Sequence, residues 1–144
     1  MSHTQPSPLI FKLQTAGFKI TKLRAALLEI FSTKHQPLTL EELNVYLKDR
    51  EVAVHRATLY REIDFLTKQK LIHAVVLSDT KLRYEWSQLD HHHHAVCLQC
   101  HKITDVAIDE TVHELDELVA SQHNFQVTRH TLEFFGLCSQ CQTV

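Results

Sequence analysis

The chain has 144 residues, 44% of them apolar, and no apolar run approaches the ~20 residues of a membrane-spanning helix. The first residues also lack the charged-then-apolar order of a signal peptide, so we expect a cytoplasmic protein rather than a membrane or secreted one. Residues 1–83 carry 13 Lys or Arg against 8 Asp or Glu, and residues 84–144 carry 2 against 9. This division favours a basic lobe that binds a polyanion and an acidic lobe that binds cations. Two solvated faces of unlike charge would give the same division.

Helix signals open the chain. An apolar stretch at residues 9–16 ends at Gly17, one of only two glycines, which suits a left-handed helix cap. Thr21 can cap a second helix through its side-chain oxygen. Thr39 followed by Glu42 has the spacing of a capping box and predicts the start of a third helix.

A fourth helix and a hairpin follow. The helix is predicted over residues 55–70, because apolar side chains recur there at helical spacing. Tyr60 and Arg61 are rotated away from that apolar face by about 100° and 200°, so they point outward. Apolar runs at residues 71–77 and 82–86 then predict a β-hairpin. Helices followed by a hairpin match a winged helix-turn-helix.

The fourth helix carries the side chains that such a module presents to DNA. Its N-terminal part enters the major groove and meets base edges. Arginine can bind guanine through two hydrogen bonds, and an aromatic ring can pack on thymine, which suits the exposed cluster of Arg56, Tyr60 and Arg61. Phosphate contacts could come from Lys12, Lys19, Lys22 and Arg24. An outward Tyr–Arg pair is also common on ordinary solvated surface.

The second half of the chain predicts shorter elements. Strands are expected at residues 95–98 and 102–106, an amphipathic helix at 109–121 and a further strand at 125–137. Such a unit of about 50 residues has little core of its own. A second copy would complete its sheet, so we expect a homodimer.

Two Cys-x-x-Cys pairs point to a metal. Each pair lets two sulfurs reach one ion, and four thiolates make a closed tetrahedral site typical of structural zinc. The four candidate ligands are Cys97, Cys100, Cys138 and Cys141. The alternative is a redox pair of the thioredoxin type, which needs a Cys-x-x-Cys at a helix start beside a parallel sheet. Neither feature is evident, and reducing compartments disfavour structural disulfides.

Four consecutive histidines, His91 to His94, stand just before the first cysteine pair. In an extended strand alternate side chains point to opposite sides. His91 and His93 would therefore face one way, and His92 and His94 the other, so one run can serve two metal sites. An expression tag and a polar linker are the alternatives, but tags are normally terminal.

Eight stretches of this sequence stand in a specific order that covers nearly the whole chain. They are Gly17-Phe-Lys-Ile-Thr21, Arg24, Ala57-Thr58-Leu59-Tyr60-Arg61, Tyr84-Glu85, His91 to His94, Cys97-x-x-Cys100, His130 and Gly136-Leu-Cys138-x-x-Cys141. In this order they resemble the ferric uptake regulator family, whose members are dimeric, metal-responsive transcriptional repressors. The resemblance implies an α+β fold, with a winged helix-turn-helix DNA-binding domain at residues 1–86 and a metal-binding α/β dimerisation domain at 87–144.

Matched position by position, the resemblance implies three metal sites. The cysteines would hold structural Zn2+, and a sensing site would comprise Glu85, His92, His94 and Asp105. The family adds a histidine from the DNA-binding domain, but Pro37 occupies that position here and His35 is the nearest candidate. An additional site would comprise His91, His93, His113 and His130, where His93 and His113 replace two acidic ligands common in the family. Four imidazoles suit zinc, nickel or copper better than harder ions.

The resemblance also implies a mechanism. The residues placed on double-stranded operator DNA are Lys19, Arg24, Arg56, Thr58, Tyr60 and Arg61. A divalent metal would act as corepressor on palindromic operators. Fe2+ is favoured, because zinc sensors of the family often add a cysteine to the sensing site and all four cysteines are already used. Zn2+ is next and Mn2+ is compatible.

Three alternatives remain open at this point. The first two are a peroxide sensor and a zinc sensor of the same family. A zinc-binding metal buffer or hydrolase without DNA binding is more distant, since a hydrolase needs an open metal position and a general base. Glu85 or Asp105 could supply that base, but the basic N-terminal half favours a regulator, and we expect no enzyme.

Overall fold

The computed structural model describes residues 8–77, 79–87, 92–108, 111–128, 130 and 132–142, except for the side chains at 8 and 111–113. The chain divides into two compact units, Met1–Ser87 and Gln88–Val144. The predicted ligand His91 and the side chain of the predicted ligand His113 lie outside the described residues. None of the helices in the described ranges is both long and apolar enough to cross a membrane.

The first unit consists, within its described residues, of helices followed by a two-stranded antiparallel sheet. Its elements are α1 (Pro8–Thr15), α2 (Lys22–Thr33), α3 (Leu40–Asp49), α4 (Arg56–Lys68), β1 (Ile72–Val76) and β2 (Leu82–Trp86). The four predicted helices and the predicted hairpin are thereby confirmed.

Side-chain caps and left-handed residues set the helix boundaries. Gly17 follows α1 at φ 84°, a conformation that glycine adopts without steric cost. The side chain of Thr21 accepts a hydrogen bond from the backbone N–H of Arg24 and caps α2. At the start of α3, Thr39 and Glu42 form the complete predicted capping box. Local sequence therefore determines where these helices begin.

The core of the first unit is apolar and lies among α2, α3, α4 and the hairpin. Its most buried side chains include Leu27, Ile30, Phe31, Leu43, Leu47, Ile63, Leu66 and Ile72. The hairpin pairs Ile72 with Trp86 and His73 with Glu85. An isolated antiparallel bridge between Leu38 and Tyr84 attaches the segment before α3 to the other edge of β2. Strand β2 is thus hydrogen-bonded along both of its edges.

The second unit contains, among its described residues, β3 (His93–Cys97), β4 (Ile103–Val106), α5 (Thr111–His123) and β5 (Glu133–Gly136). The strands lie in the order β4-β3-β5, with β4 antiparallel and β5 parallel to β3. The predicted strand at 125–137 is wrong in length, because among the described residues of this stretch only Glu133–Gly136 is strand. A strand needs a partner for its backbone groups, and β3 pairs with only these four residues.

Apolar side chains of the second unit are largely uncovered within one chain. On α5, Leu115, Leu118 and Val119 are 40–54% exposed, and on β5 both Phe134 and Phe135 are at least 40% exposed. Contiguous exposed apolar surface of this kind marks interaction sites in soluble proteins.

Candidate metal centres and nucleic-acid interface

The four cysteines converge in the second unit. Cys97 ends β3 and Cys100 lies in the turn after it, while Cys138 and Cys141 follow β5. All four Sγ atoms lie within 4.8 Å of one another. The Sγ atoms of Cys100 and Cys138 are 3.7 Å apart, close to the ~3.8 Å edge of a tetrahedron with zinc–sulfur bonds of ~2.3 Å. These residues fit a tetrahedral zinc ion.

Backbone amides prepare this cluster for a cation. The pKa of Cys97 is lowered to about 5, because the backbone N–H groups of Cys100 and Cys138 donate to its sulfur. The N–Sγ distance from Cys138 is 3.4 Å. The pKa of Cys141 is raised to about 12, first by its hydrogen bond with Cys138 and then by burial. One sulfur is thus readily ionised and its neighbour retains its proton, so metal binding must release protons from the cluster.

A second cluster forms where β3 begins. The sheet register pairs His94 with Asp105 of β4, and Nε2 of His94 lies 3.9 Å from Oδ1 of Asp105. The ring of His92 lies 5.0 Å from the ring of His94. His94 is buried and His92 is half-buried. Two imidazoles and a carboxylate therefore meet at this end of the sheet, a donor set compatible with a regulatory divalent metal.

His93 belongs to different surroundings. Its ring lies 5.6 Å from that of His130, and it is buried. Nδ1 of His130 lies 2.9 Å from Oδ2 of Asp116 on α5. Sequence reasoning missed Asp116. The available signal was its position three residues after the predicted ligand His113, since residues at this spacing share a helix face.

Glu85 lies on β2 of the first unit with only 4% of its side chain exposed. Its Oε1 is 2.8 Å from Nε2 of His73 on β1. His73 was also missed, because the strand register, which the predicted runs at 71–77 and 82–86 do not specify, decides that it stands opposite Glu85. Of the two positions considered for a ligand from the DNA-binding domain, Pro37 is fully buried and His35 is exposed.

The predicted DNA-contact residues of α4 form one exposed surface. Arg56, Thr58, Tyr60 and Arg61 are all exposed. The guanidinium of Arg56 lies 5.6 Å from the ring of Tyr60, and its Nη2 is 3.5 Å from the Tyr60 hydroxyl. This hydrogen bond raises the pKa of Arg56. The first two turns of α4 therefore present cations and an aromatic side chain to solvent.

Arg24 is held inside the first unit. Its Nε donates to Oε1 of Glu62 at 2.5 Å, and its Nη2 donates to Oε2 at 3.1 Å. Its Nη1 donates to the backbone oxygen of Lys19 at 2.7 Å. The guanidinium also stacks on the ring of Phe65, 3.7 Å from its centroid. Arg24 thus joins α2 to α4 and fixes the segment that carries the exposed Lys19.

Comparison with known proteins points to one family. Residues 15–135 match the ferric uptake regulator family. Over 131 residues the chain is 30% identical to the ferric uptake regulation protein of Campylobacter upsaliensis, covering 90% of this chain and 83% of that protein. It is 28% identical over 133 residues to the peroxide-responsive repressor PerR of Staphylococcus aureus, covering 92% of this chain and 88% of that protein.

A solved structure gives the same result. The chain is similar to the Helicobacter pylori ferric uptake regulator Fur, whose structure reveals three functional metal-binding sites. The TM-score is 0.76 at 25% identity, with 93% of this chain and 89% of the other covered. The predicted α+β fold, with an N-terminal winged helix-turn-helix and a C-terminal dimerisation unit, is confirmed.

Proposed function

The chain belongs to the ferric uptake regulator family of metal-responsive transcriptional regulators, and we propose that it represses transcription from palindromic operators with a divalent metal as corepressor. The observation that carries the proposal is the meeting of His92, His94 and Asp105 in the second unit of a chain that has the family's fold. Residues 1–86 form the DNA-binding domain and 87–144 the metal-binding dimerisation domain. The division into two compact units at Ser87 supports this boundary.

Three metal sites are part of the proposal, as in the Helicobacter relative. The cysteine cluster holds structural zinc. The sensing site consists of His92, His94 and Asp105, with Glu85 added on the strength of the family pattern. The additional site includes His93 and His130, with Asp116 hydrogen-bonded to His130.

Iron is the proposed regulatory metal. Imidazole and carboxylate donors suit ferrous iron, manganese and zinc, and intrinsic affinity favours zinc over the other two. Zinc sensors of the family often add a cysteine to the sensing site, whereas the four sulfurs here form their own cluster. The identity with a ferric uptake regulation protein supports the same choice.

Regulation follows from the placement of the ligands along the chain. When bound, the metal would be coordinated by side chains from both sides of the boundary at Ser87. Glu85 precedes this boundary, while His92 and His94 follow it, so a metal that binds all three would favour the linker conformations that allow this binding. The metal shifts the equilibrium between the DNA-binding state and the other state by the difference in its binding free energy for the two, typically ~1–3 kcal/mol.

DNA recognition is assigned to the exposed first two turns of α4. Base edges would be contacted by Arg56, Thr58, Tyr60 and Arg61, and the DNA backbone by Lys19. Arg24 positions Lys19 through its hydrogen bond to the Lys19 carbonyl oxygen.

The uncovered apolar side chains of α5 and β5 support a homodimer. Two recognition helices one DNA turn apart, about 34 Å, would read a palindrome. The proposed action on DNA supports a cytoplasmic location and requires no enzymatic activity.

The test is a gel shift on palindromic promoter DNA with zinc-loaded protein, with and without added Fe2+ under anaerobic conditions. We expect metal to raise DNA affinity and salt to lower it steeply. Equal affinity with the sensing site filled or empty would overturn the corepressor mechanism. Binding indifferent to salt would favour the metal buffer or hydrolase instead.

The identity with PerR supports one second candidate, a peroxide sensor. Iron bound by histidine and carboxylate can oxidise its own ligands. In that case, peroxide treatment of the iron-loaded protein should add oxygen to the peptide that carries His92 and His94. Mass spectrometry of that peptide separates the two candidates.

A further inference from the structure

The wing hairpin contains a histidine whose contacts the proposed ligand set does not use. His73 stands directly opposite Glu85 in the β1–β2 register. Its Nε2 lies 2.8 Å from Oε1 of Glu85, and its Nδ1 lies 3.3 Å from Oγ of Ser87. The ring is 49% exposed, but the carboxylate that it contacts is only 4% exposed.

These contacts determine how the ring and the carboxylate are oriented. An ionised carboxylate only accepts hydrogen bonds, so Nε2 of His73 carries the hydrogen and donates it to Glu85. In a neutral ring Nδ1 is then an acceptor, and the Ser87 hydroxyl can donate to it. The imidazole is thus held at both nitrogens. Its bond to Oε1 in turn fixes the rotation of the Glu85 carboxylate about its own axis.

We propose that His73 is a positioning residue for the regulatory metal and acts through Glu85. The inference rests on the proposed role of Glu85 as a metal ligand. Carboxylates that bind metals are themselves hydrogen-bonded, and losing such a partner typically costs about 10- to 100-fold in metal affinity. His73 orients the carboxylate and lowers the cost of keeping it buried.

The geometry distinguishes this role from two others. As a direct metal ligand, His73 would have to give up its contact with either Glu85 or Ser87, because Nε2 already donates to Oε1 and Nδ1 already faces the Ser87 hydroxyl. If the pair of His73 and Glu85 were purely structural, His73→Ala would lower thermal stability without changing metal affinity.

The experiment measures Co2+ affinity by chelator competition in full-length, zinc-loaded protein. Every sample carries His93→Ala to remove the additional site. We expect His73→Ala to weaken Co2+ binding about 10- to 100-fold while the positions of the visible absorption bands stay unchanged. His73→Gln keeps a donor at the place of Nε2 and should restore most of the affinity. His55→Ala, an exposed histidine of the same unit, is the matched control and should have no effect.

A double variant tests whether His73 acts through Glu85. Adding His73→Ala to Glu85→Ala should weaken Co2+ binding no further. If Glu85→Ala weakens binding and His73→Ala does not, the positioning role is overturned and the sensing site stands. If neither variant weakens binding, the ligand role of Glu85 fails as well. A band shift in His73→Ala like that of His94→Ala would make His73 a direct ligand and also overturn the proposal.

Discussion

The ring of His93 lies 5.6 Å from the ring of His130, although the very next residue of the same strand, His94, faces a carboxylate on a different strand. Adjacent residues of β3 therefore stand in different clusters. The reason is the pleat of a β-strand, which sends successive side chains to opposite faces of the sheet. This separation makes the two clusters experimentally distinguishable by single substitutions.

His94→Ala should abolish the effect of metal on DNA binding, whereas His93→Ala should preserve it. His94 faces Asp105 and is a proposed sensing ligand. Its loss should weaken regulatory metal binding by more than about 100-fold, which is more than the loss of a residue that only hydrogen-bonds to a ligand. Gel shifts over a metal titration measure both variants. A His93→Ala protein that no longer responds to metal would contradict the division into two sites.

Arg61→Ala should lower affinity for operator DNA by about 1–3 kcal/mol and relax sequence preference, as expected for a side chain that reads a base edge. Lys68→Ala on the same helix is the control, because Lys68 is exposed and pairs with Asp64. Lys19→Ala should weaken binding to all sequences alike and reduce the salt slope by about 1. Zinc content should stay unchanged in all three, and an Arg61→Ala protein with full operator affinity would exclude Arg61 from the interface.

Cys138→Ser should remove zinc and unfold the second unit while the helices of the first unit persist. Structural zinc contributes apparent binding energies of about 10–16 kcal/mol at neutral pH, which a small unit without a large core cannot replace. Metal analysis and limited proteolysis measure the two effects. Ser139→Ala, in the same turn, should leave both unchanged. A folded, zinc-free second unit would show that the cluster is not a structural site.

Arg24→Lys should destabilise the first unit by about 1–3 kcal/mol. Lysine cannot form the two parallel hydrogen bonds to Glu62 or stack its charge on Phe65 as a flat guanidinium does. Urea unfolding, compared with the exposed control Lys12→Ala, measures the change. Unaltered stability combined with weaker DNA binding would instead place Arg24 directly on DNA.

The wing hairpin should lose stability in acid through Asp79. The Arg83 guanidinium bonds to this carboxylate at 2.6 and 2.7 Å and lowers its pKa to about 2. Since the folded pKa lies below the unfolded one, the stabilisation is complete above pH 3.8 and is lost as the pH falls towards 2. Asp79 is 37% exposed, so the effect is small.

Fluorescence of Trp86, the single tryptophan, reports on the hairpin. Between pH 4 and pH 2, unfolding midpoints of the wild type should approach those of Asp79→Asn, which lacks the titrating group. A constant difference between the two proteins across this range would contradict the assignment.

The sequence by itself determined the elements whose signals are local. The caps at Thr21 and Thr39, the apolar face of α4 and the hairpin depend on residues a few positions apart, which can be compared directly along the chain. The cysteine pairs and the histidine run were equally readable, because metal chemistry restricts ligand type and spacing.

Only the tertiary structure decided which distant side chains meet. Arg24 contacts Glu62, 38 residues away, and this contact links α2 to α4. The structure alone showed that His73 contacts Glu85 and that Asp116 contacts His130. The strand at Glu133–Gly136 is short because its only described partner strand, β3, pairs with just those residues. Such contacts depend on how elements pack and on strand register, and no single segment of sequence contains that information.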